Sequence, residues 1–250
     1  MNPFRAFLYA IRRVLLKKLV PEIIWPRNVD IDGVTIPVRG TSLNFGTKRW
    51  ISNGLYERDE RLLVSAIVQP GMTVVEMGGS LGILARVLAH RVGPEGRVIS
   101  LEASFDLFQK AKTWCPIPFN LEFVHGFAFP LWESSSVKVT GFKSDCSELD
   151  GRASWILGQK SLHNNWDLNR ISKSLNVVPD VLVVDIEGGE EVLRQITPNF
   201  PKRTSHIILE FHPNRYGQVG VDEIITCLGR EGFQVAEVSG PVTRFSRSII

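Results

Sequence analysis

Thr73-Val74-Val75-Glu76-Met77-Gly78-Gly79-Ser80-Leu81-Gly82 is the stretch on which the fold turns. An apolar run of strand length breaks into closely spaced glycines, and Leu81 to Arg91 continues at helical spacing. A strand that feeds a helix through a glycine turn is the opening unit of a parallel sheet. The glycines let the backbone turn sharply and approach a ligand, and the helix start offers free N–H groups to an anionic group. The spacing is Gly78-x-x-x-Gly82. It is not the G-x-G-x-x-G of dinucleotide folds, which weighs against a diphosphate ligand.

The same rhythm extends on both sides. A helix is predicted over Glu57–Ile67, and a second strand, Arg97–Leu101, ends at Glu102. A helix near Phe105–Thr113 and a strand near Leu121–Val124 follow. Further on come a strand at Val181–Asp185, a helix at Glu190–Ile196, a strand at His206–Phe211, a helix at Val221–Glu231 and a strand at Phe233–Val238. Apolar strands without alternation, each followed by a helix, imply a doubly wound α/β domain with a parallel sheet covered on both faces. Residues 130–179 interrupt the pattern with Trp132, Trp155 and Trp166 and read as an insertion near the site. Residues 1–50 read as a basic N-terminal helix and connector, and 51–250 as the main domain.

Composition narrows the class. With 44% hydrophobic and 22% charged residues among 250, disordered and fibrous classes are excluded. The longest uncharged stretch, Leu62 to Val75, contains Pro70-Gly71 and is too short to span a membrane. Three cysteines without ligand-like spacing argue against a disulfide scaffold or zinc site, and so for a reducing, cytoplasmic compartment. The net charge of +3 is uneven, because residues 1–50 hold 9 basic and 3 acidic side chains and the remainder is acidic. No basic stripe lies on the body, so no nucleic-acid partner is expected. Residues 1–20 place Phe4, Phe7, Leu8, Ile11, Val14, Leu15 and Leu19 on one face and five basic residues on another. Such a helix packs on the domain or lies on an anionic membrane surface.

Glu102 closes the second strand beyond the glycine turn, where a carboxylate can accept both hydroxyls of an adenosine ribose. Glycine turn and strand-end acid together point to a nucleoside cofactor.

The string VVEMGGSLG from Val74, with Leu101-Glu102 and VVDIEGGE from Val183, resembles the FkbM-type S-adenosylmethionine-dependent methyltransferases. Tyr56-Glu57 and Leu209-Glu210-Phe211-His212 are similar to the same family, and the likeness covers roughly residues 54–238. The resemblance implies S-adenosylmethionine as cofactor, with Gly78, Ser80 and Gly82 along its methionine part and Glu102 on its ribose. Glu76 and Asp185 complete the expected cofactor-binding set. This chain departs from the family at Glu76, usually Asp; at Gly79-Ser80, usually Ala-Asn; and at Val183, usually Lys.

Asp185 and Glu187, and likewise Glu210 and His212, stand at strand ends that open beside the glycine turn. Acids and a histidine there are costly to bury without a role or a partner. An alcohol acceptor needs alignment and loss of its proton. His212 suits that loss, with Glu210 orienting it, or Glu187 serves as base instead. Asp185-Ile186-Glu187-Gly188 stands where methylases of nitrogen commonly carry Asn/Asp-Pro-Pro-aromatic, so oxygen is the expected acceptor, on a sugar, glycan or secondary metabolite. The three acids with His212 also have a donor set for Mg or Mn. The resemblance implies no metal, and none is expected. Two further readings stay open: a nicotinamide-dependent oxidoreductase, and a non-catalytic module that binds the cofactor.

Overall fold

The computed structural model describes residues 22–132, 165–194 and 198–248, with two short strands at 142–143 and 154–155. The predicted N-terminal helix and most of the tryptophan-rich stretch lie outside the described residues. The chain divides into two compact units, one ending at Tyr56 and one beginning at Glu57.

In the first unit, β1 (Asn28–Ile31) and β2 (Val34–Pro37) form an antiparallel hairpin. Asp32 and Gly33 between them both have positive φ, the conformation of a tight two-residue turn. Helix α1 (Phe45–Ser52) replaces the connector expected there. Asn44 starts it by accepting from Thr47 N at 3.0 Å, which offsets the weak helix formers Gly46 and Thr47.

The second unit is built on a seven-stranded sheet. Helix α2 (Arg58–Ser65) leads to β3 (Thr73–Met77), α3 (Ile83–Val92), β4 (Arg97–Glu102), α4 (Phe105–Thr113) and β5 (Leu121–His125). Strand β6 (Phe127–Phe129) pairs in parallel with β9 (Asn165–Asp167), and β7 (Phe142–Lys143) pairs antiparallel with β8 (Ser154–Trp155). Then follow α5 (Leu168–Leu175), β10 (Val181–Val184), β11 (His206–Glu210), α6 (Pro213–Arg230), β12 (Gln234–Ser239) and β13 (Val242–Ser246). The order across the sheet is β12-β13-β11-β10-β3-β4-β5. Winding runs outward in both directions from β3 and β10, so the order reverses between their carboxyl ends. Val75, Ile99, Leu182 and Ile207 feed one buried layer, while Val74, Val98, Val181 and Ile208 feed the other. Burial on both faces explains why these strands read as unbroken apolar runs.

Three expectations need correction. The sheet is not wholly parallel, because β13 inserts antiparallel between β11 and β12. Its sequence, Val-Thr-Arg-Phe-Ser, has only two apolar residues, three apart, and lacks the continuous apolar signal of the other strands. The helix expected over 190–196 is a 3-10 helix, Gly189–Arg194. Finally, α5 lies within the stretch read as an insertion, yet it buries Leu168 and Ile171 in the main core.

Arg86 of α3 is 1% exposed. Its guanidinium donates to the carbonyl oxygens of Gly82 (2.8 Å), Ala111 (2.6 Å), Cys115 (2.8 Å) and Pro116 (2.9 Å). It thereby ties the glycine turn to the end of α4. Arg86→Leu strands those carbonyls and should destabilise the chain by about 3–5 kcal/mol in urea unfolding. A change below about 0.5 kcal/mol would show that the carbonyls find other donors.

Candidate active site

The glycine turn closes directly on the end of β10. Gly78 has φ +97°, and a Cβ there would overlap the carbonyl oxygen of Asp185. Gly78 N and Gly79 N both donate to Leu101 O, at 2.8 and 2.9 Å, so the turn also leans on β4. Gly82 has φ +71°, and a Cβ there would meet the Phe123 ring and the Arg86 guanidinium. Ser80 takes a left-handed φ of +46° without being glycine. The N-terminus of α3 is satisfied by Glu57, whose Oε2 accepts from Leu84 N at 2.9 Å. Burial and the charges of Glu76 and Glu60 push the Glu57 carboxyl well up.

Glu102 bridges the turn and the start of α4. Its Oε2 accepts from Ser80 N at 2.8 Å and its Oε1 from Ser104 N at 2.6 Å. Burial raises its pKa, and the amide bonds of Ser104 and Ser80 oppose the rise. Glu76 stands differently from the expectation that it lines the cofactor. It is 2% exposed beneath Gly79, and the Ser100 hydroxyl donates to it. The carboxylate supports the turn from below.

Beyond β10 the chain brings Asp185 and Glu187 against His212, which precedes α6. His212 Nε2 lies 3.6 Å from both Asp185 Oδ1 and Glu187 Oε2. Both acids follow the last strand residue, so strand alternation does not set their direction. Glu187 has φ +53°, and this left-handed residue turns the chain back. The other ring nitrogen, Nδ1, faces Glu190 Oε1 at 2.6 Å. Glu190 is wholly buried, accepts from Tyr216 Oη at 2.9 Å, and holds Gly188 N at 3.0 Å through its other oxygen. Tyr216 Oη in turn accepts from His212 N at 2.7 Å. Glu190, not Glu210, is therefore the residue that orients the imidazole. Burial alone would lower the His212 pKa, but the bond to Glu190 and the charges of Glu190, Glu187 and Glu210 outweigh it, and the net direction is up.

Glu210 turns to a second group, with Asp185 and Glu60 of α2. Burial, followed by the charges of Asp185 and Glu60 and a hydrogen bond with Glu60, pushes Glu210 up to about 9. Asp185 is also raised well above the carboxylate range, by burial and then by Glu187, Glu60, Glu190 and Glu102. Sequence reading singled out neither Glu60 nor Tyr216, and neither carries a local signal. Glu190 could have been found, because it closes the Asp185-x-Glu187-Gly188-x-Glu190 string.

Residues 39–115 match the model of the protein-L-isoaspartate(D-aspartate) O-methyltransferase family. Among solved structures, Aeropyrum pernix fibrillarin with bound S-adenosyl-L-methionine is 15% identical at a TM-score of 0.45, over 74% of this chain and 72% of its own. A TehB-like S-adenosylmethionine-dependent methyltransferase from Corynebacterium glutamicum is 17% identical at 0.42, over 81% and 96%. A precorrin-6y C5,15-methyltransferase from Geobacter metallireducens is 13% identical at 0.43, over 75% and 87%. No curated protein matches the chain. The matched segment contains the glycine turn, α3 and Glu102. It agrees with the class implied by the sequence resemblance and names a different family within it.

The support under the turn is testable through Glu76, whose pKa is raised by burial from 4.5 to about 7. A carboxyl raised on folding stabilises the folded state at acid pH. That contribution is full below about 4.5 and is lost as pH rises through 7, a difference of about 3 kcal/mol. Urea unfolding of the parent should therefore weaken between pH 4.5 and 8.5, and Glu76→Gln should flatten the profile. Parallel profiles would place the titration elsewhere.

Proposed function

We propose that this chain is an S-adenosylmethionine-dependent O-methyltransferase acting on a hydroxyl of a sugar, glycan or secondary metabolite. The observation that carries the reading is His212, fixed through Nδ1 by Glu190 with Nε2 turned to Asp185 and Glu187, beside the glycine turn. A carboxylate has about four acceptor positions, and the amides of Ser80, Ser104 and Ala103 occupy three on Glu102. What remains suits a ribose hydroxyl. The carboxylate-rich crevice suits a cationic cofactor, and when bound that cofactor supplies a methyl group on a sulfonium whose departure leaves a neutral thioether. Gly78, Ser80 and Gly82 shape the wall on that side. Asp185, Glu187 and His212 form the acceptor side, where the hydroxyl is aligned and its proton removed. The same side carries the oxygen preference, since Asp185-Ile186-Glu187-Gly188 lacks the proline pair of nitrogen methylases. The Asp185-x-Glu187-Gly188-x-Glu190 string keeps the FkbM-type family as the finer reading.

Two variants separate the halves of the site. Glu102→Ala should weaken S-adenosylmethionine binding by about 1.5–3 kcal/mol in calorimetry, the range for hydrogen bonds to a charged group. An unchanged dissociation constant would remove Glu102 from the ribose.

His212→Ala should leave cofactor affinity nearly unchanged and lower turnover on a hydroxylated acceptor by roughly 10²–10⁴-fold. Full turnover in this variant would make the cluster structural.

A further inference from the structure

We propose that Asp185, Glu187 and His212 hold one divalent cation at the acceptor side of the crevice. Where the acceptor lies rests on the O-methyltransferase reading; the cation site itself does not. His212 Nε2 is 3.6 Å from Asp185 Oδ1 and 3.6 Å from Glu187 Oε2. That separation is longer than a hydrogen bond. It matches two donors on one ion, since ligands about 2.1–2.2 Å from a metal lie roughly 3.5 Å apart at a tetrahedral angle. The three donor atoms all fall within 4.8 Å of one another.

Two independent features point the same way. Asp185 Oδ1 is shielded from solvent and has no hydrogen-bond partner, although it faces the imidazole. A carboxylate oxygen left in that state is costly unless a ligand completes it. The imidazole, in turn, is held from behind. Glu190 at 2.6 Å from Nδ1 places the ring proton there and leaves the Nε2 lone pair for an ion. A carboxylate behind a ligating histidine is the usual support of a metal site. This proposal departs from the expectation of no metal drawn from the family resemblance.

One imidazole and two carboxylates suit a borderline or hard first-row cation, for which Mn²⁺ is the probe. Three protein ligands leave positions open to the acceptor oxygen. Coordination there lowers the hydroxyl pKa, and its proton leaves to water. The C–O bond then forms as the C–S bond breaks, with the electron pair returning to sulfur.

The test is Mn²⁺ titration of the full metal-free chain, followed by the electron paramagnetic resonance of the free ion. The expected result is one Mn²⁺ per chain, bound at least 10-fold more weakly by Glu187→Gln and by His212→Ala. Glu190→Gln, which meets the ring at Nδ1 and not at the Nε2 that faces the cation position, should weaken binding by roughly 10–100-fold. Glu210→Gln, in the neighbouring acid group, should leave it within about threefold. Absence of stoichiometric binding below about 1 mM overturns the site, as does equal affinity in the parent and Glu187→Gln. If His212→Ala fails to fold, the parent and Glu187→Gln decide alone. S-adenosylmethionine calorimetry on the same samples keeps the two readings apart. Cofactor binding without Mn²⁺ binding removes the cation site and leaves the methyltransferase reading intact; Mn²⁺ binding without cofactor binding does the opposite.

Discussion

The site depends on one close approach, that of the Gly78 backbone to the carbonyl of Asp185. Parallel pairing carries it, because Asp185 N donates to Met77 O at 2.9 Å and extends the β3–β10 ladder one residue past its end. Any side chain at 78 would push the two strand ends apart, which fixes the distance between the glycine turn and the Asp185–Glu187–His212 cluster. Gly78 N and Gly79 N then bind Leu101 O and draw in β4, so that Glu102 arrives under Ser80. A crevice that sheet topology only locates is shaped by this contact.

Charge is the second constraint. Glu57, Glu60, Glu76, Glu102, Asp185, Glu187, Glu190 and Glu210 crowd the carboxyl ends of the strands and the turns beside them, and the described structure settles each differently. Glu57 and Glu102 accept backbone amides at helix starts, where the N–H groups favour a carboxylate. Glu190 is spent on His212, Tyr216 and Gly188. Glu210 is pushed toward its protonated form by burial and by its position beside Asp185 and Glu60. Asp185 and Glu187 are the pair left facing His212. A crevice with this balance favours cationic ligands, which a sulfonium cofactor and a divalent ion both are.

Much of this was legible from local pattern. Val74, Val75, Val98, Ile99, Val181 and Leu182 announce buried strands because both sheet faces are covered. The glycine turn announces itself, since Gly78 and Gly82 occupy conformations and spaces that larger residues do not fit. What was missed depends on pairing across the chain. The strand β13 is recognisable only by its place between β11 and β12, and α1 only by its Asn44 cap. Glu190, in a 3-10 helix, reaches His212 across 22 residues. Glu60 meets Glu210 only because α2 packs near the end of β11. Spacing along the sequence says which side chains share an edge. It does not say which acid takes which partner.

That last distinction decides what the cluster does. Glu210 and His212 are two residues apart at one strand end, so Glu210 is the natural partner for the imidazole when only sequence is considered. Glu210 ends the strand facing Glu60, while His212 lies past it with extended φ of −115° and turns to Glu190. Had Glu210 taken Nδ1, Glu190 would sit buried with one fewer partner and Glu60 would face Asp185 alone, two costly carboxylates instead of one shared proton. The observed pairing satisfies Glu190 fully and leaves the unsatisfied oxygen on Asp185, at the open side of the imidazole. Val183, buried in β10 where the FkbM-type sequences that this stretch resembles carry lysine, supplies no positive charge to that oxygen. Asp185 is therefore completed by His212, by a ligand or by a proton of its own.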